Sequence, residues 1–65
     1  MTKNICDIKE LSLYIKTSIP EIRKLVREKK IPYFRVGNRI KFDINEINKW
    51  LENLQEKEIK NSLFL

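Results

Sequence analysis

Residues 31 to 42 read IPYFRVGNRIKF, and the way this stretch pairs with itself decides the fold. Tyr33 to Val36 and Ile40 to Phe42 are rich in aromatic and β-branched residues, and the only glycine, Gly37, stands between them beside Asn38. That composition predicts a β-hairpin. Directly opposed residues of an antiparallel pair share a face, so loop length decides which side chains meet. A two-residue loop of Gly37 and Asn38 would oppose Val36 to Arg39 and Phe34 to Lys41, leaving both faces mixed. A loop of Gly37, Asn38 and Arg39 sorts the side chains better. Val36 then faces Ile40 and Phe34 faces Phe42 on an apolar side, while Arg35 faces Lys41 on a cationic side. This odd loop is the expectation. A two-stranded ribbon of this kind is not stable alone and needs a helical layer beneath it.

On the C-terminal side of the ribbon, Asp43 and Glu46 have capping-box spacing, so a helix is predicted to follow the second strand at once. It runs from Ile44 to about Gln55 and buries Ile44, Ile47, Leu51 and Leu54, with Trp50 at the edge of that arc. On the N-terminal side, Pro32 ends a helical run, because the residue before a proline is pushed to extended geometry. That run opens with Ser18 and Glu21, again at capping-box spacing, and with Pro20 in the first turn, where a missing amide hydrogen costs little. This second helix spans about Ile19 to Lys29. Ile19, Ile22, Leu25 and Val26 form its inward arc, and Pro20, Arg23, Lys24 and Arg27 its outward one.

Before it, Asp7 and Glu10 cap a first helix that buries Ile8, Leu11 and Ile15 and ends near Lys16, with Leu13 pointing nearly the opposite way. Residues 1 to 6 are a short lead-in whose candidates for burial are Ile5 and Cys6. The expected architecture is mainly α with a small β-hairpin, in the order helix, turn, helix, hairpin, helix.

Composition excludes several classes of function. With one cysteine and no histidine, the chain forms no internal disulfide and has no zinc-ligand set. No cofactor is expected. Cys6 reads as a small buried hydrophobe rather than a reactive thiol. An enzyme is not expected: there is no phosphate-cradling glycine loop, and no carboxylate pair that the helix caps leave unexplained. No apolar run has membrane-spanning length and no signal peptide begins the chain, so a cytoplasmic location is expected.

Charge is distributed unevenly. Between Ser18 and Phe42 eight basic residues stand against two acids, whereas the rest of the chain has six bases and seven acids. The net charge of +5 therefore originates in the second helix and the hairpin. A solvated basic face is the plain explanation of one such strip. Concentration on two adjacent elements is the footprint of a polyanion-binding surface, and double-stranded DNA is the leading partner. A basic helix after a tight turn can lie in a major groove, with a basic ribbon reaching the flanking backbone or minor groove. Anionic lipid or a protein surface is the remote alternative. A membrane-binding helix should carry large apolar residues beside its bases, and the outward arc offers only Pro20 and cations.

The run from Asp7 to Leu51 resembles the excisionase-type winged helix-turn-helix domain, related to the DNA-binding domain of the MerR superfamily. The matching features are Ile8 to Ile15, Ser18, Ile22, Leu25 to Val26, the IPYFRVGNRIKF segment, and Asp43 through Trp50 and Leu51. One departure is Lys16, where the family usually has glycine at the end of the first helix, so a differently built turn is expected there. The resemblance implies DNA contacts from Ser18, Pro20, Arg23, Lys24 and Arg27 on the second helix, and from Arg35, Asn38, Arg39 and Lys41 on the wing. It also implies a protein of a mobile element, of bacterial or phage type. That protein would be an excisionase working architecturally with an integrase, with cooperative self-association on DNA, or a small transcriptional regulator. Residues 1 to 56 form the expected DNA-binding domain. Residues 57 to 65 form a C-terminal tail, read either as an extension of the third helix or as a packing segment whose Ile59, Leu63, Phe64 and Leu65 cover Leu13 or Trp50 or dock on a neighbouring molecule.

Overall fold

The computed structural model describes the backbone of residues 4 to 63 and the side chains of residues 4 to 56. The elements follow in the order β1 (Ile5–Cys6), α1 (Ile8–Ile15), α2 (Ile19–Arg27), β2 (Phe34–Val36), β3 (Arg39–Asp43) and α3 (Ile44–Leu63). The strands form one antiparallel sheet in the order β1-β3-β2. Three helices and a small sheet are arranged as in a winged helix-turn-helix.

Each helix begins where an acceptor side chain is available for its orphan amides. Asp7 accepts from the Glu10 amide at 2.8 Å, and Glu10 accepts from the Asp7 amide at 3.0 Å, which completes a capping box. Ser18 Oγ accepts from the Glu21 amide at 3.3 Å, with Pro20 in the first turn. Asp43 is both the last residue of β3 and the cap of α3. Its Oδ1 accepts from the Asn45 amide at 2.9 Å, so strand and helix join with no loop between them.

The first two helices end in left-handed lysines. Lys16 has φ 54°, and the amides of Lys16 and Thr17 both donate to the Ser12 carbonyl. Ser12 Oγ in turn donates to the Thr17 carbonyl at 2.7 Å. The turn thus takes the conformation glycine would favour, with lysine in it. Helix α2 stops at Arg27 rather than at the expected Lys29, because Lys29 itself turns left-handed at φ 56°. The Lys29 amide donates to Val26 and the Lys30 amide to Leu25, the two bonds of a Schellman motif.

The core comprises Cys6, Leu11, Ile22, Val26, Ile31, Phe42 and Ile47, drawn from α1, α2, α3, β1, β3 and the segment after α2. Leu11, Ile22, Phe42 and Ile47 are fully buried, and each such side chain contributes about 1.5–3 kcal/mol through removal from water. Trp50 is half-buried and its indole N–H donates to the Lys30 carbonyl at 2.8 Å, anchoring α3 to the segment after α2. Tyr14 Oη donates to Asn48 Oδ1 at 2.6 Å, tying α1 to α3.

The hairpin differs from its expected form. Its register is Phe34↔Lys41, Arg35↔Ile40 and Val36↔Arg39, so the loop is Gly37 and Asn38 alone and Arg39 belongs to β3. Gly37 has φ +62° and Asn38 does not have a positive φ, the pattern of a type II′ turn with glycine first. Such a turn matches the right-handed twist of the two strands, and this local fit outweighs the cleaner sorting of side chains a longer loop would give.

Phe34 and Val36 consequently sit outside at 38 % and 58 % exposure, on the same face as Arg39 and Lys41. Arg35 shares the inner side with Ile40 and buried Phe42. The anticipated division into one oily and one cationic face does not occur.

Other differences are smaller. The lead-in supplies a third strand: Ile5 pairs with Asp43 and Cys6 with Phe42, and the Asn4 carbonyl accepts from the Ile44 amide at 2.9 Å. Two residues are too few to show an alternation in sequence. Cys6 is buried, as expected, and Ile5 is largely exposed. Leu54, expected in the core, is exposed because α3 has passed the layer it packs against by that point. The α3 backbone continues beyond Gln55 to Leu63, along the helix extension that is one of the two readings of residues 57 to 65. The expected packing of Ile59, Leu63, Phe64 and Leu65 lies outside the described residues.

Candidate nucleic-acid interface

Burial of Ile22 and Val26 fixes the rotation of α2 and so decides what its opposite side presents. Pro20, Arg23, Lys24 and Arg27 are all exposed there. Ser18 is exposed at the helix start, where its hydroxyl is engaged by the cap. On the wing Arg35, Asn38 and Arg39 are exposed and Lys41 is half-buried.

The ion pairs among the described residues are Lys30 with Glu28 at 3.4 Å and Lys49 with Glu46 at 3.6 Å. Among those residues, none of the six expected DNA-contacting cations lies within salt-bridge distance of a carboxylate. Their charge is available to an external anion.

The structure brings these cations together in two grooves on either side of Arg23 and Ile40. One groove runs between the first turn of α1 and the wing and is lined by Asp7, Ile8, Lys9, Arg23, Asn38, Arg39, Ile40 and Lys41. Asp7, its one acid, is occupied in capping α1. The other lies between α2 and the inner side of the hairpin and is lined by Arg23, Val26, Arg27, Lys29, Tyr33, Arg35 and Ile40, with no acid. Lys24 lines neither groove and projects separately from α2. Arg23 therefore links the helical and wing surfaces.

Residues 5–55 match the profile of the family described as a helix-turn-helix domain. The chain belongs to the helix-turn-helix domain family. No curated protein and no solved structure gives a further match. Membership of the helix-turn-helix family supports binding to double-stranded DNA, and that family is typically non-enzymatic.

In this helix-turn-helix domain α1 and α2 are the paired helices, and the exposed arc of α2 follows the turn around Lys16 and Thr17. The hairpin and α3 complete the matched region. Sequence reasoning did not single out Lys9, Lys29 or Tyr33, which line the grooves. Lys29 was assigned to the end of α2, and nothing in its spacing signals the left-handed turn that carries it toward Arg27 and Arg35.

Cys6 has no place in this interface. Burial, followed by the nearby Glu10 and Asp7 carboxylates, pushes its thiol pKa up, with Lys41 opposing. A thiol held protonated is a poor nucleophile. Among the described residues, no cluster of histidine, cysteine and carboxylate side chains could hold a metal ion, and no helix is long and apolar enough to cross a membrane.

Proposed function

We propose that this protein is a sequence-specific binder of duplex DNA that inserts α2 into the major groove and lays its wing along the adjacent backbone and minor groove. The observation that carries this reading is the row of unpaired cations on α2 and the wing, continuous across two grooves through Arg23. Long cations on one helical arc suit a mixture of base-edge and phosphate contacts, with Arg23, Lys24 and Arg27 in those roles. Arg39, next to the wing turn, suits the strong negative potential of a narrow minor groove.

Within that activity, we infer that the protein is an excisionase of a bacterial or phage-type mobile element. It bends DNA and assists an integrase without catalysing a reaction itself, and it occupies neighbouring sites cooperatively. The resemblance of residues 7 to 51 and the concentration of basic residues on α2 and the hairpin support this reading. Selection of bound sites from random duplexes, followed by a gel-based bending assay, tests it. Clustered direct repeats and a strong bend are the expected result. A single palindromic site without bending would instead identify a small transcriptional regulator.

A further inference from the structure

The cleft between α2 and the hairpin contains a residue whose position makes little sense for folding alone. Lys29 occupies the C′ position of the Schellman motif that closes α2, with φ 56°. A side chain there is disfavoured by contact between Cβ and the backbone, and glycine or asparagine would close the helix with less strain. The motif uses only the backbone of Lys29, whose amide donates to Val26 at 3.0 Å.

Among the described residues the Lys29 side chain makes no ion pair or hydrogen bond. Lys30, not Lys29, pairs with Glu28, and Lys24 and Arg27 already place cations in the last turn of the helix. Instead, Lys29 lines a cleft of about 380 Å³ together with Arg23, Arg27, Arg35 and Tyr33. Four cations from three separate segments thus border one open space, with no carboxylate among its walls.

We propose that this cleft seats a backbone phosphate of the DNA between helix and wing, and that Lys29 is a phosphate contact held in place by its left-handed backbone. The proposal rests on the duplex-binding reading above and adds a ligand group and a residue to it. Lys16 provides a matched comparison. It is also a left-handed lysine closing a helix, at φ 54°, yet it lines neither basic groove. The same backbone relief at the two positions therefore separates strain from function.

The test uses the full chain and a short random-sequence duplex, with affinity followed by fluorescence anisotropy between about 50 and 200 mM salt. Lys29→Asn keeps a residue that tolerates the left-handed region and removes the charge. It should raise the thermal midpoint by a few degrees while reducing the salt slope by about 1, the loss expected for one phosphate contact. Lys29→Arg should retain the slope. Lys16→Asn should raise the midpoint similarly and leave the slope unchanged. A wild-type slope in Lys29→Asn, or equal losses at the two positions, would overturn the assignment of Lys29 while leaving duplex binding intact. Failure of the wild type to bind the duplex at all would instead remove the reading on which the proposal rests, and the proposal with it.

Discussion

Helix α2 and the wing both present cations to the same two grooves, but they place them by different means. On α2 the charged and apolar side chains occupy opposite arcs: Ile22 and Val26 are buried, and Arg23, Lys24 and Arg27 stand in solvent. On the hairpin each face carries both kinds of side chain. Arg35 shares the inner face with Ile40 and Phe42, and Arg39 and Lys41 share the outer face with Phe34 and Val36. The exposed side of α2 can therefore be changed without touching the core, whereas every change to the wing's register changes both its packing and its charge. A helix inherits its functional face from the core, and a short ribbon inherits it from its turn.

The largest expected effect separates the two wing faces. Phe42→Ala should lower stability by about 3–5 kcal/mol, and Phe34→Ala by only about 1 kcal/mol, because Phe42 is fully buried and Phe34 is not. Chemical denaturation of the two variants measures the difference. Equal losses would restore the pairing in which both phenylalanines face inward.

On α2, replacing Arg23, Lys24 and Arg27 together with alanine should weaken duplex binding by about 100-fold or more and change stability by no more than about 0.5 kcal/mol. Titration of a labelled duplex alongside a thermal melt checks both halves. A large stability loss would mean that the exposed arc is not independent of the core.

These two regions were unequally legible from sequence. The spacing of Ile19, Ile22, Leu25 and Val26 admits one inward arc, so the outward cations of α2 follow from helical geometry alone. The hairpin offered two registers, and sorting by hydrophobicity selected the wrong one. Sorting favours burial of Phe34 and Val36 and takes no account of the fit of a Gly37/Asn38 turn to twisted strands. The caps at Asp7, Ser18 and Asp43 were readable because they are local. Strand β1 and the Tyr14 to Asn48 bond depend on partners distant in sequence and left no pattern, and the left-handed Lys29, though closed by local bonds to Val26 and from Lys30 to Leu25, carries a side chain that does not signal that conformation.

The turn gives a third comparison. Gly37 has φ +62° and open space around the position a Cβ would take, so Gly37→Ala should cost about 1–2 kcal/mol through backbone conformation alone. An unfolding curve identical to that of the wild type would show that the turn does not set the register. The smallest expected effect is at the opposite end of β3. Asp43→Ala should cost about 1 kcal/mol through loss of the α3 cap, with DNA affinity lowered no more than stability requires. A wild-type denaturation midpoint in that variant would show the cap to be dispensable.

The direct junction at Asp43 makes the wing and α3 a crank. With no slack between strand and helix, the direction of β3 sets the direction of a helix of 20 residues. At 1.5 Å per residue that helix is about 30 Å long, so a tilt of about 10° displaces its far end by about 5 Å. A small difference in the twist of the wing is thereby magnified at the far end of α3.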